Sequence, residues 1–463
     1  MDSVSPSPTT LPSFRDPIAA DLRLTPNVSR IFFALCVCFV AAEIWLTIAS
    51  HGARPSQWLA LAAVVLSGLG CTLWLALRHD ASALSAYFVF CFAATTRLIP
   101  LFAQSLFDDD YFRFLWDGYQ LIHGVSPYAS SPAANVARTD LTEPWHDVLA
   151  QINHPEVATI YGPFLQVIFA LAVSLVGTLP IGLQAVFCGV DLALIAVLLR
   201  VGVAPRWVMM YVVNPLVIKE ICFSLHPDGV IAAALVFAVL LLARQRAAIS
   251  GFWTAAVVCA KLPLALLVFA LNARNPTHQK ALLWAVLIAM AFYAPFMLDG
   301  TDPFIGLKTF ARDWRFNALA FAVFEWIAGA HARAVLTVFY ILAGCALAFV
   351  VARHRVDLAT ALVLWLAVIV VCSPAVNPWY WLPLLPLAVS AHTMHGRSLV
   401  TPWVGSFALL LAYVNGALLA EIGVTSTLAA FEVHPAARII EIVLIASALS
   451  YDLLQIRSTD EER

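Results

Sequence analysis

Long apolar runs recur along almost the whole chain, and they constrain its fold more than any other feature. Residues 57–77 carry no charged side chain, and residues 81–106 carry only Arg97. A transmembrane helix needs about 20 mainly apolar residues. The chain is 62% hydrophobic and 12% charged, whereas soluble domains carry about 25% charged residues. The sequence therefore predicts an all-α polytopic membrane protein.

About 12–14 membrane-crossing helices are expected from these runs. The runs lie near residues 31–50, 57–77, 81–106, 161–178, 181–200, 206–224, 228–244, 250–271, 281–298, 332–352, 357–373, 378–392, 400–418 and 437–455. Pro263 and Pro383 lie inside two of them, which predicts kinks or re-entrant pieces. We expect one membrane domain over residues 30–457, between a disordered cytoplasmic tail at 1–29 and a polar tail at 458–463.

Arginines at the ends of the first spans indicate the orientation. Three precede the first span and one follows the second: Arg15, Arg23, Arg30 and Arg78. The positive-inside rule then puts the N-terminus in the cytoplasm, and three crossings put residues 107–160 outside. Arg200 and Arg206 would also fall outside by this count, against the rule, so the crossing pattern between residues 161 and 206 stays open.

The net charge and the cysteines exclude other classes of protein. A net charge of −2 argues against binding to nucleic acid. The nine cysteines lie almost all in apolar runs, and none lies in residues 107–160. They form neither a disulfide framework nor a zinc spacing, so they are expected to be small core residues.

The loop at residues 107–160 is acidic and begins with three consecutive aspartates. On helical spacing, Asp110, Arg113 and Asp117 share one face. The pattern predicts a short amphipathic helix at the membrane surface that ends at Gly124. The aspartates favour either a solvated acidic loop or a carboxylate with a raised pKa, as a general base requires.

Several stretches of this chain resemble one family in the same order. Residues 110–118 (DYFRFLWDG) and 124–128 (GVSPY) resemble the first extracytoplasmic loop of GT-C-type glycosyltransferases that use polyprenyl-phosphate sugars, especially bacterial mannosyltransferase-like members. Weaker resemblances are found at residues 153–163, 214–215, 226–228, 314–317 and 377–380. Gly162 stands where the family usually has proline, and Leu225 stands where it usually has a small residue.

The resemblance implies an inverting transfer of a sugar, expected to be mannose. The donor would be a polyprenyl-phosphate sugar from the bilayer, and the acceptor an envelope glycan, glycolipid or protein. It also implies a multi-pass protein of the bacterial inner membrane with an extracytoplasmic active site. No cofactor is expected, although the three aspartates could bind a divalent ion through their carboxylate oxygens.

The same resemblance assigns roles to side chains of the loop. Asp110 is the expected general base, with Asp109 as the second choice; the alternative for Asp110 is a partner for Arg113. Asp117 would orient Arg113 or bind a sugar hydroxyl. Trp116 would either stack on a sugar or anchor the helix in the membrane interface.

Other candidate substrate-binding residues lie far along the chain. A leaving phosphate needs cationic or N–H donors, and Lys261 and Arg315 are the chosen cations, because ionisable groups near bilayer depth are functional suspects. Lys219 could instead pair with Glu220. The remaining candidates come from stretches that resemble the family: His154, His226, Asp228, Trp379 and Tyr380.

Two other functions fit parts of this pattern. A transporter or lipid-linked glycan flippase would use the intramembrane charges as a pathway. A glycan ligase or polymerase would use a diphosphate-linked donor. The charges concentrate in a loop and near one face of the membrane, which favours the transferase.

Overall fold

A computed structural model describes residues 30–77, 84–353 and 356–461. Over these residues the chain is helical and contains no β-strand, only two isolated bridges. The all-α prediction is therefore confirmed. The predicted tail at residues 1–29 and the flanking residues Arg15, Arg23 and Arg78 lie outside the described residues.

The described part of the chain contains twenty α-helices, with 3-10 helices, a π-helix and loops between them. They are α1 Arg30–Ala49, α2 Arg54–Leu77, α3 Ala86–Leu98, α4 Tyr111–Ile122, α5 Glu143–Ala150, α6 Pro163–Val176, α7 Ile181–Arg200, α8 Pro205–Val212, α9 Pro215–Val217, α10 Asp228–Ala243, α11 Ala247–Ala260, α12 Pro276–Leu298, α13 Ile305–Asp313, α14 Phe321–Ala328, α15 Ala332–Ala352, α16 Leu358–Cys372, α17 Leu384–His395, α18 Thr401–Ala408, α19 Gly416–Glu421 and α20 Pro435–Glu461. The last helix extends into the segment predicted as a polar tail.

Six helices in the described ranges are long and apolar enough to cross a membrane. They are α1, α2, α7, α12, the α14–α15 stretch Phe321–Ala352 and α20. A bent pair raises the number to seven, and five shorter apolar helices lie between them. The long helices alone thus fall short of the predicted 12–14, because proline and glycine divide several apolar runs into short helices. For example, α11 ends at Ala260, and after Lys261 the chain continues as a 3-10 helix, Leu262–Ala270, with Pro263 in its first turn.

The broken helix at residues 215–243 positions the site. A stretch from Pro215 to Phe223 meets α10 at an angle of 116°. The stretch ends in a π-helix, Ile218–Phe223, and π-helical turns occur frequently at functional sites. Leu225, in the break, has a φ of +60°, a conformation that costs a residue with a side chain about 1–3 kcal/mol. The family's usual small residue here suits this backbone, and the chain keeps the same turn with leucine.

A buried ion pair explains Arg97, the single charge in its apolar run. Its Nε donates to Asp191 Oδ2 of α7 at 2.9 Å, and both side chains are fully buried. Its guanidinium also donates to the carbonyl oxygen of Val212. Arg97 therefore joins α3 to α7 and α8 as a structural residue.

The acidic loop contains the predicted helix, α4, which ends as expected just before Gly124, whose φ is +71°. Its position differs from the prediction. All eight residues from Arg113 to Gln120 are buried, and Phe114 stacks on Phe169 of α6 with ring centroids 4.6 Å apart. The helix thus packs into protein on several sides, because its aromatic residues cover α6 and α5.

Candidate active site

The acidic loop is hydrogen-bonded to the break in the helix. The backbone N–H of Leu106 donates to the carbonyl of Phe223 at 3.0 Å. The hydroxyl of Ser224 donates back to the carbonyl of Leu106 at 2.8 Å. These two bonds hold Asp108, two residues further on, with its Oδ2 3.2 Å from Nε2 of His226. Two segments more than a hundred residues apart therefore form one site.

Asn153 joins the two carboxylates predicted to be catalytic. Its Nδ2 donates to Asp109 Oδ1 at 2.6 Å and to Asp110 Oδ1 at 2.9 Å. Asp109 is exposed and Asp110 is partly buried. Burial and the neighbouring charge of Asp108 raise the pKa of Asp110 to about 6. Burial opposes ionisation of Asp108 too, but the nearby His226 outweighs it and lowers the pKa of Asp108.

His226 is held rigidly behind Asp108. Its Nδ1 lies 2.9 Å from Glu220 Oε2, and its ring stacks on Trp379 with centroids 3.6 Å apart. The same Glu220 carboxylate accepts hydrogen bonds from Lys219 and from the hydroxyl of Tyr413. Both Lys219 and Glu220 are fully buried. Lys219 therefore forms the ion pair with Glu220 that the sequence analysis gave as its alternative role.

A second charged pair lies on the far side of the break. Nζ of Lys261 lies 2.8 Å from both carboxylate oxygens of Asp228. The same ammonium group lies 4.3 Å from the centroid of the Tyr380 ring. Lys261 keeps 19% of its side chain exposed, against 4% for Asp228. The lysine is thus the member of the pair that can reach a ligand.

Three predicted residues of α4 have structural contacts. Arg113 donates to the carbonyls of Asn153, His154 and Val157, so it fixes the end of the loop. Asp117 is buried and accepts from Gln166 at 3.2 Å, and burial raises its pKa to about 6.

Trp116, the third of these residues, is fully buried. It stacks on Tyr119 with centroids 5.4 Å apart. Neither sugar stacking nor anchoring in the interface agrees with this position, because both need an exposed ring.

His154 and Arg315 lie at the edge of the loop. The ring of His154 meets Trp314 edge-on at 4.3 Å. Arg315 is 55% exposed and pairs with Glu325 at 2.6 Å. Neither residue forms a hydrogen bond or ion pair with Asp110 or His226 among the described residues, so their substrate-binding roles stay predictions.

The sequence analysis did not predict Asn153 and Tyr413 as residues of the site. Asn153 lies inside a stretch that resembles the family, and its position directly before His154 could have identified it. Tyr413 had no such signal, because it follows an unremarkable apolar run and meets Glu220 from 193 residues away.

One cluster in the described part of the chain has the composition of a metal site. Asp108, Asp110 and His226 each offer one ligand atom, and these atoms lie within 4.8 Å of one another. The arrangement as a whole offers carboxylates that can take a proton and cations that can face an anion, at one end of a broken membrane helix.

Comparison with known proteins identifies the family to which the chain belongs. The model of the MptA_B family, described as alpha-(1->6)-mannopyranosyltransferase, N-terminal domain, matches residues 37–274, just over half of the 463-residue chain. No curated protein and no solved structure matches. The matched segment includes the acidic loop, the broken helix and Lys261. The chain therefore belongs to this alpha-(1->6)-mannopyranosyltransferase family, a GT-C-type family of membrane mannosyltransferases.

Proposed function

We propose that this protein transfers mannose, with inversion, from a polyprenyl-phosphate donor to a hydroxyl of an envelope glycan, glycolipid or protein. The reaction takes place at the extracytoplasmic face of the bacterial inner membrane. The observation that carries the proposal is the contact between the acidic loop and the broken helix. This contact, together with the partial exposure of Asp110, supports a site at which an acceptor from the aqueous side and a lipid-linked donor meet.

Asp110 is the proposed general base. The acceptor oxygen attacks the anomeric carbon of mannose while Asp110 takes the hydroxyl proton. The bond between that carbon and the phosphate oxygen breaks, and its electron pair leaves with the polyprenyl phosphate. Inversion at this carbon means that an α-linked product, as in the family's name, comes from a β-linked donor.

The leaving phosphate gains negative charge, and nearby cations stabilise it. Lys261 is the proposed cationic contact, because it is partly exposed beside Asp228 and Tyr380. Asp109, exposed to water and bonded to Asn153, is the second choice for the base and a contact for the acceptor.

The test is a transfer assay with purified protein in detergent. Labelled polyprenyl-phosphate mannose and polyprenyl-diphosphate mannose are supplied separately with an envelope-lipid acceptor fraction. We expect label transfer from the monophosphate donor and a loss of about 10²–10⁴-fold in Asp110→Asn. The asparagine can still accept a hydrogen bond from Asn153, so the variant is expected to fold.

Asp140→Asn is the matched control, because Asp140 lies in the same loop, is 64% exposed and pairs with Arg138. It should transfer label like the wild type. Transfer from the diphosphate donor alone would refute the proposed donor. Equal transfer by wild type and Asp110→Asn would refute the assignment of the base and direct the search to Asp109.

A further inference from the structure

The backbone is strained at the residue that directly precedes Asp108. Phe107 has a φ of +63°, in the left-handed region that residues with a side chain seldom adopt. Leu225, which directly precedes His226, is another residue in this region. Backbone strain of this kind clusters at active sites and persists only where the surrounding structure holds it. The contacts that hold Phe107 in place therefore bear on the position of Asp108.

Three side chains lie beside the ring of Phe107. The ring stacks on the indole of Trp58, in α2, with centroids 3.8 Å apart and an angle of 17° between the planes. The guanidinium of Arg54 lies 5.6 Å from its centroid, and the ring of Tyr413 lies 6.3 Å away. The stack on Trp58 fixes the side chain at this turn, while the hydrogen bonds of Leu106 to the broken helix fix the backbone before it.

Trp58 is itself held by a residue from the far end of the chain. Its Nε1–H donates to Oε2 of Glu421, in α19, at 2.5 Å. The turn between α1 and α2 is joined to the start of the loop, because the backbone N–H of Gln104 donates to Ser50 Oγ at 2.9 Å. Trp58 therefore holds a fixed position beside Phe107.

A short path joins this stack to the proposed base. Asp108 directly follows Phe107, and its carbonyl oxygen accepts from Ser105 Oγ at 3.2 Å. Its Oδ1 accepts from the backbone N–H of Asp110 at 3.3 Å, and α4 begins at the next residue. A shift in the turn at Phe107 therefore displaces Asp110 as well. A displacement of about 1 Å can cost about 10²-fold in rate, even when the substitution lies far from the chemistry.

We propose that Trp58, Phe107 and Glu421 position the catalytic loop, because their contacts hold the strained turn that places Asp110 for proton transfer from the acceptor. They are positioning residues, since they act through Asp110. Their effect on transfer rests on the proposed function, whereas their hold on the loop does not.

The proposed donor contact is held by different residues. Lys261 pairs with Asp228 and lies beside the ring of Tyr380. Loss of the stack between Trp58 and Phe107 should therefore lower kcat and leave the KM for the donor unchanged. This pattern is expected when the lost arrangement matters only in the transition state. A general loss of structure would instead lower the fraction of chains that bind the donor.

The first test follows the loop without any donor. Hydrogen–deuterium exchange of the purified protein in detergent reports how often the backbone amides of residues 108–112 open. Trp58→Leu should raise their exchange by about 2–10-fold, as expected for the loss of one aromatic pair. Glu421→Leu, which removes the acceptor for the indole N–H, should also raise it.

Trp74→Leu is the matched control. Trp74 lies about 24 Å further along α2 than Trp58, at about 1.5 Å per residue. It is also half-buried, and it stacks on Phe32 of α1 with centroids 4.5 Å apart. The variant loses a comparable stack and should leave exchange in the loop unchanged.

The second test measures transfer with whichever donor serves the wild type, counted per chain that binds labelled polyprenyl phosphate. We expect kcat to fall about 10–100-fold in Trp58→Leu, with the donor KM unchanged, and to equal the wild type in Trp74→Leu. Trp58→Phe keeps a ring on Phe107, and Glu421→Gln keeps an oxygen for the indole N–H. Both conservative variants should retain most of kcat.

Unchanged exchange in Trp58→Leu would overturn the inference, as would equally faster exchange in Trp74→Leu. Faster exchange with an unchanged kcat would overturn the positioning role. Elution as a single species and cooperative unfolding show that each variant is folded, and Glu421→Leu tests the same contact should Trp58→Leu fail to fold. Absence of transfer from any donor in the wild type would refute the proposed function, and exchange alone would then support or overturn the hold of Trp58 on the loop.

Discussion

Gly162 offers the sharpest test of how the loop is held against the membrane helices. Its N–H donates to the carbonyl of Ala260, the last residue of α11, at 3.1 Å. A Cβ built on Gly162 would lie 2.1 Å from the carbonyl oxygen of Cys259, whereas ordinary contact begins at 3.4 Å. Gly162→Ala therefore forces the end of α11 away from the loop by more than an ångström. Lys261 follows directly and moves with it.

The magnitude follows from the same geometry. Overpacking costs about 1–3 kcal/mol, and we expect Gly162→Ala to lose stability in that range. The φ of Gly162 is −75°, which proline could adopt, but Gly162→Pro also removes the N–H and leaves the Ala260 carbonyl unpaired. That costs about 1–3 kcal/mol more. The family's usual proline is thus expected to be the more damaging of the two changes in this chain.

Thermal unfolding in detergent, followed by tryptophan fluorescence, measures the effect. Gly189→Ala is the matched control: Gly189 lies in α7, and apart from its chain neighbours and the backbone of its own helix no heavy atom of the described residues lies within 4 Å of the added Cβ. It should be neutral or gain up to about 1 kcal/mol from helix propensity. Equal unfolding temperatures for Gly162→Ala and Gly189→Ala would refute the close approach of the loop to α11. Full transfer activity in Gly162→Ala would refute its link to Lys261.

Changes at three further positions, Lys261, Trp116 and Asp117, test the assignments of the site. Lys261→Met should destabilise by about 3 kcal/mol, because it leaves the buried Asp228 carboxylate unpaired, and Lys261→Met with Asp228→Asn should regain stability but not transfer. Trp116→Phe should lower the unfolding temperature and leave transfer per folded molecule unchanged, whereas reduced transfer would restore the sugar-stacking role. In the wild type, burial raises the pKa of Asp117 from 3.8 to about 6, so the free energy of unfolding is highest at low pH and falls as the pH rises through 6. Asn cannot ionise, so Asp117→Asn should be more stable than the wild type by up to about 3 kcal/mol above pH 6. Unfolding temperatures across pH 4–8 for wild type and variant should converge on the acidic side, and a constant gap would contradict this.

Part of the site could be predicted because the features that indicate it lie in short stretches of sequence. Gly124 ended α4 as predicted, since a residue at positive φ commonly follows a helix. The motif at residues 226–228 drew attention to His226, which lies 3.2 Å from Asp108 of the acidic loop, and to Asp228, which pairs with Lys261. Pro263 correctly indicated a break in an apolar run.

What could not be predicted depends on packing between distant segments. An aromatic residue such as Trp116 fits a lipid-facing surface and a protein core equally well, so its pattern cannot distinguish them. Hydropathy likewise does not separate a short apolar helix such as α6 from a full span. At about 1.5 Å per residue, its 14 residues cover about 21 Å, less than the bilayer core of about 30 Å.

The contacts of Tyr413, Trp379 and Tyr380 have a consequence for biosynthesis. The segment that matches the family ends at residue 274, yet these three rings reach back to Glu220, His226 and Lys261. While the chain is being inserted, the acidic loop and the broken helix are complete long before their aromatic partners emerge from the ribosome. The buried Lys219 and Glu220 therefore gain their contacts with Tyr413 only after residue 413 has been synthesised, well beyond the end of the family-matched segment.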